Sequence, residues 1–200
     1  MKKIALAATV LTLFLANAAS AGHAYINFDD DGNMVLSGPF SIVIPKPEGA
    51  RSGPVENSTP SFLDEELKVS KAGYFADDQF VLVQVETTNA GEGALTNQNL
   101  PVHELAGREY RARTACLDIS QEELDGDDDP LFEYLESQNV QIVPAVQAVQ
   151  LFATTDDGTG QGTILYMRNY PAGCDAMTDD FKAEFKAAFE RFIESIQEAN

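Results

Sequence analysis

The last 27 positions of the chain carry its clearest pattern of apolar and polar residues. Phe181, Phe185, Phe189, Phe192, Ile193 and Ile196 recur at spacings of three and four, the period of an α-helix that buries one stripe. Thr178 is a good N-cap, and Asp179 and Asp180 stand in the first turn, where the helix dipole favours anions. The opposite face carries Glu184, Glu190, Glu194 and Glu198 beside Lys182, Lys186 and Arg191. That mixture is unlike the basic face of a membrane-surface helix, so the phenylalanines are expected to pack into a core.

Upstream the pattern shortens to strands. Tyr25 to Phe28 and Met34 to Leu36 flank Asp29-Asp30-Asp31-Gly32-Asn33 and predict a hairpin. Phe40 to Ile44 predicts a further strand, stopped by Pro45 and Pro47. Positions 46–61 are rich in Pro, Gly, Ser and Asn and read as a surface loop. Ser61, with Asp64 three residues on, predicts a short capped helix through Leu67. Phe80 to Val85 is rich in β-branched residues and reads as a strand; Ala90 to Asn99 reads as a loop.

From Tyr110 to Ile119 the chain alternates. Tyr110, Ala112, Thr114 and Cys116 would share one face, and Glu109, Arg111 and Arg113 the other. After an acidic run, Asp129-Pro130 opens a short helix to about Gln138. Val140 to Thr155, interrupted by Pro144, and Thr163 to Asn169 read as long strands joined by a Gly-rich loop. The sum is an α+β chain: a central antiparallel sheet of five to seven strands with an amphipathic C-terminal helix packed on one face.

Composition adds a location. Lys2, Lys3, the apolar run Ile4 to Ala16 and the small residues Ala19-Ser20-Ala21 form a secretory signal pattern. Residues 1–21 are therefore expected to be removed, leaving 22–200 as a single domain with no membrane span. The short signal points to the bacterial periplasm, with secretion as the alternative. In an oxidising compartment the two cysteines, Cys116 and Cys174, predict one disulfide. The formal charge is −19, with 32 acidic residues against 13 basic ones. Such a field repels phosphate backbones and argues against nucleic acid as a partner.

Candidate chemistry is sparse. Asn27-Phe28-Asp29-Asp30-Asp31-Gly32 begins like a calcium loop, but Gly38 stands where a bidentate glutamate is required. Asp29, Asp31, Asp127 and Asp129 remain candidates for a divalent cation. Cleavage after Ser20 would place His23 third in the mature chain, where amine, amides and imidazole suit Cu(II). Arg108, Arg111 and Arg113 gather basic charge within six positions and offer an anion site; pairing with neighbouring acids is the competing reading. His103 follows Pro101 in an expected exposed loop. G-x-S-x-G, H-E-x-x-H and a phosphate-cradling glycine loop are absent from the sequence. No cofactor is indicated.

A strand ending in proline (Phe40-Ser41-Ile42-Val43-Ile44-Pro45), a later long hairpin and a final phenylalanine-rich helix together resemble the PsbP-like group of small α/β/α proteins. Lys46-Pro47 follows that proline where many members have an aromatic residue. The resemblance lies in the order of elements and carries over no site residue. It implies binding and assembly rather than catalysis. The expected role is that of an exported protein that binds another envelope protein, with cation binding or a hydrolase lacking a known motif as alternatives.

Overall fold

The computed structural model describes residues 24–62, 65–88, 100–120, 130–140, 142 and 144–199. Residues 1–21, expected to form a signal peptide, His23, the stretch 90–99 expected to be a loop, and the acidic run containing Asp127 and Asp129 lie outside the described residues.

The chain is β-rich. Strands β1 (Ile26–Phe28), β2 (Met34–Leu36) and β3 (Ile42–Ile44) form a small antiparallel sheet, joined at its edge by the last strand, β13 (Gln197–Glu198). The large antiparallel sheet is built from β4 (Arg51–Ser52), β7 (Glu65–Phe75), β8 (Gln79–Thr88), β9 (Val102–Leu105), β10 (Arg108–Asp118), β11 (Ala145–Thr154) and β12 (Gly160–Tyr170). Its order is β4-β7-β8-β12-β11-β10-β9, and β5 (Glu56–Ser58) and β6 (Ser61–Phe62) pair with β7. Two α-helices are described: α1 (Pro130–Ser137) and α2 (Asp179–Ser195). The expected antiparallel sheet with a closing helix is present. The balance is more strand and less helix than an α+β chain implies, and the small sheet adds a second β-layer.

Where a helix is expected from Ser61 to Leu67, the described residues 61–62 and 65–67 are strand. Residues 67–75 pair without a break against Phe80–Thr88. Ahead of that ladder Ser61 and Phe62 pair back on Glu66 and Glu65, and Leu67 N donates to Pro60 O at 2.9 Å, so the start of β7 is held by strand pairing on both sides and a single capped turn offers less. The loop at 46–61 likewise contributes β4, β5 and β6.

One face of the large sheet is its dry face. Tyr74, Val81, Val83, Val85, Tyr110, Val149, Leu151, Ile164 and Tyr166 join Ile26, Met34, Leu36, Phe40, Ile42 and Ile44 of the small sheet and Phe185, Phe189 and Phe192 of α2 in one apolar cluster. The helix stripe behaves as its spacing predicts. Thr178 Oγ1 accepts a hydrogen bond from Phe181 N at 3.2 Å, closing the N-cap. Tyr166 receives all three phenylalanines, with ring centroids 5.5, 5.6 and 5.1 Å away. Arg168 ties the start of α2 to the sheet by bonding Asp78 at 2.8 Å, reaching Glu184 at 3.6 Å and lying over the Phe181 ring. His103 is in β9, not in a loop, and its ring meets Phe189 edge-on at 5.8 Å.

The disulfide joins Cys116 to Cys174 across a separation of 58 residues. It anchors a single 3₁₀ turn, Cys174–Ala176, to the end of β10 immediately before α2. Asp118 Oδ1 accepts from Cys174 N at 2.6 Å beside it. No described helix is long and apolar enough to cross a membrane.

Candidate functional site: the polar end of the second sheet face

Strand alternation sends every other residue of the large sheet to a second face. At one end that face is apolar. Phe75, Phe80, Leu82, Val146, Ala148, Leu165 and Met167 pack with Tyr134 and Leu135 of α1. At the other end the same face turns polar while remaining buried. Gln84, Gln150, Gln161 and Thr163 are all buried there.

The strand register fixes how these side chains are laid out. One row across the sheet is Lys71, Gln84, Thr163, Phe152 and Arg111. The row on one side is Val69, Glu86, Gln161 and Thr154. The row on the other side ends in Gln150 and Arg113, which face each other across β11 and β10. Phe152, 3 % exposed, thus sits inside a frame of amides, hydroxyls and guanidinium groups. Arg113 lies over its ring, with Cζ 5.8 Å from the centroid.

The electrostatics are unusual for so acidic a chain. Arg111 and Arg113 bring two positive charges to the patch. Arg111 Nη1 donates to Leu100 O at 3.3 Å, and its Nη2 is 3.9 Å from Glu109, a half-exposed pair of little strength. Lys71 is drawn away to Glu56 at 2.9 Å. Gln84 Nε2 donates to Glu86 Oε2 at 3.0 Å. Loss of water around Glu86 nevertheless dominates and pushes its carboxyl up to about 7.

Two side chains stand out. Gln150 is 2 % exposed, and neither its amide oxygen nor its amide nitrogen has a hydrogen-bond partner among the described residues. Gln161 Nε2 is in the same state. An unmet buried amide costs about 1–3 kcal/mol, so such groups are expected where water or a ligand completes them. The frame offers donors, acceptors, one near-neutral carboxyl and an aromatic floor. Its hydroxyls, Thr154 and Thr163, have no histidine at a register position beside them.

The expected site residues divide. Arg111 and Arg113 project together, as the alternation predicts. Arg108 does not join them: it points to the other face, with Cζ 4.9 Å from the centroid of the Phe40 ring, because it is in phase with Tyr110 and Ala112. Asp29 organises its own turn. Its Oδ1 accepts from Asp31 N and Asn33 N at 3.0 and 2.8 Å, and its Oδ2 accepts from Asn33 Nδ2 at 3.0 Å. These bonds hold its carboxyl below the usual range. Asp31 is exposed at the same turn. Among the described residues no three His, Cys, Asp or Glu side chains form a group able to hold a metal ion.

Sequence reasoning missed Gln84, Glu86, Gln150, Gln161 and Thr163. Their signal is a polar residue on the buried phase of a strand, as in Ala148-Val149-Gln150-Leu151-Phe152. It becomes legible only when neighbouring strands bring several together. Comparison with protein-family models, curated proteins and solved structures finds no match for this chain.

Proposed function

We propose that this chain is an exported, non-catalytic binding protein whose ligand occupies the polar end of the second sheet face. The observation that carries the reading is Gln150, an amide enclosed at 2 % exposure with both polar atoms unmatched among the described residues. A residue of that kind adds nothing to folding, and replacing it by an apolar one is expected to be neutral or stabilising. Its presence directly across from Arg113, on the face that also carries Gln161 two rows away, is accounted for by recognition. Export is supported by the signal pattern at residues 1–21 and by a disulfide of the kind that persists outside the cytosol. The PsbP-like order of elements points the same way, toward binding at the envelope.

The test is a panel of thermal melts on the mature protein with amino acids, short peptides, neutral sugars, sugar acids and polyols, each at 10 mM, beside the Gln150→Leu variant. A ligand at a hundred times its Kd contributes about 2.7 kcal/mol, a rise of roughly 5–10 °C for a chain of this size. The expected result is that at least one class raises the wild-type Tm and leaves Gln150→Leu unmoved. No shift with any class, or equal shifts in both proteins, refutes the reading. For export, the mass of the protein secreted from the full gene should correspond to a chain starting at Gly22.

A further inference from the structure

We infer that β9 takes an added strand: an extended, basic segment of another protein, paired along the open edge of the large sheet. The inference goes beyond the ligand reading above, and Gln84, Gln150 and Gln161 take no part in it. β9 is the last strand in the sheet order. Its pairing with β10 shows which backbone groups are free. Pro101 O accepts from Ala112 N at 2.8 Å, and along the ladder Arg111 faces Val102, Tyr110 faces His103, Glu109 faces Glu104 and Arg108 faces Leu105. Bonded and non-bonded pairs alternate in an antiparallel ladder. His103 and Leu105 therefore bond to β10, whereas the N–H and C=O groups of Val102 and Glu104 point away from it. The turn at Ala106 and Gly107, both at positive φ, fits this phase, since a two-residue turn of that kind is closed by a bonded pair. No other strand among the described residues lies beyond β9. The opposite border is different: β7 is covered by β4, β5 and β6, pieces of two or three residues that make poor templates.

Side chains identify the occupant. Val102 and Glu104 share one face of β9. Val102 is 45 % exposed, the single large apolar side chain left exposed among the described residues. Glu104 is also exposed, and it stands directly across from Glu109, whose side chain faces solvent too. Like charges opposed in a non-bonded pair, where side chains approach most closely, weaken a hairpin. Arg111 answers Glu109 only from 3.9 Å and is also engaged with Leu100 O. A strand laid along β9 with lysine or arginine opposite Glu104 brings positive charge to both carboxylates. An apolar residue two positions away on that strand covers Val102. A second copy of this chain is a poor occupant, because it brings the same glutamates and a net charge of −19. Glu104 thus guards the edge against self-pairing while leaving it open to a basic partner.

The experiment is a ¹H–¹⁵N NMR titration of the mature protein with three peptides. The probe is acetyl-Ser-Val-Thr-Lys-Thr-Val-Ser-amide. One control carries Glu in place of Lys; the other keeps every side chain but is N-methylated at its five inner residues, which removes their donors. Two protein variants accompany wild type: Val102→Pro, which deletes an N–H that β10 does not use, and Glu104→Lys. Circular dichroism checks that each is folded, and Glu104→Lys carries the test if Val102→Pro is not. The expected result is that the probe moves the Val102 and Glu104 backbone amides saturably, with Kd below about 1 mM. Each control peptide, and Val102→Pro, should weaken binding by about tenfold or more, and Glu104→Lys should reverse the preference between the Lys and Glu peptides. The inference fails if the probe leaves those amides unmoved, if the N-methylated peptide binds as well as the probe, if folded Val102→Pro binds as wild type does, or if Glu104→Lys keeps the wild-type preference. Sedimentation equilibrium on the same samples tests the other occupant: a wild-type dimer that Glu104→Lys or Val102→Pro abolishes assigns the edge to a second copy and overturns the inference.

Discussion

Replacing both cysteines by serine removes a cross-link that spans 58 residues. In the chain-entropy description a loop of that length restricts the unfolded chain by about 4 kcal/mol. The bridge fixes the 3₁₀ turn before α2 to the end of β10, where Asp118 also holds Cys174 N. The helix itself stays docked without the bridge, because Phe185, Phe189 and Phe192 each pack on Tyr166. The variant should therefore be folded at room temperature but melt earlier. For a chain of this length each kcal/mol moves the melting point by about 2–4 °C, so the expected fall in Tm is roughly 8–16 °C. Scanning calorimetry on wild type and Cys116→Ser/Cys174→Ser at one pH measures it, with near-ultraviolet circular dichroism reporting the tyrosine packing below the transition. A fall of less than about 3 °C refutes the reasoning, as does loss of the near-ultraviolet signal at 25 °C.

Three further perturbations probe the core and the patch. Phe189→Ala empties a site bordered by Tyr166 and His103 and should cost about 3–5 kcal/mol by denaturant titration. Gly73→Ala places a methyl group 2.7 Å from Leu82 Cδ2 and 3.0 Å from the Val81 carbonyl oxygen, and should cost about 1–3 kcal/mol by the same assay. Glu86 binds its proton up to about 7 in the folded protein, against an ordinary value of 4.5. The folded state thus holds the proton over a window in which the unfolded state has lost it, and stability falls as pH rises from 4.5 to 7. The full effect is at most about 3 kcal/mol. Glu86→Gln should flatten that slope and be the more stable protein at pH 8; unchanged pH dependence of the melting curve contradicts the assignment.

The fold was legible where one periodicity dominated. The C-terminal helix, its Thr178 cap, the Asp29 hairpin turn and the strands at 80–85 and 110–119 follow from spacing and turn chemistry alone, and the disulfide follows from the cysteine count together with the compartment expected from the N-terminal pattern. The segment at 61–67 misled because Ser61 and Asp64 fit a capping pattern, whereas Ser61 and Phe62 pair with Glu66 and Glu65 to feed a long strand whose register is set by β8 from Leu67 onward. The strands of the small sheet were legible, but not that they form a sheet of their own, because strands of three residues carry no signal of which sheet they join. The candidate site was half visible. Arg111 and Arg113 could be placed on a common face from β10 by itself. Gln150, Gln161 and Glu86 could not, since each is one polar residue in an apolar strand and acquires meaning from its partners across the sheet.

If the polar end of the second sheet face holds a ligand, Gln150 and Gln161 must meet it. Side-chain amide resonances of Gln150 and Gln161, followed by ¹⁵N NMR while the binding probe is added, test it most directly. Both pairs of NH₂ signals should move and saturate together with the backbone amides of 111–113 and 161–163. Saturable binding that leaves those two side chains unmoved would contradict it.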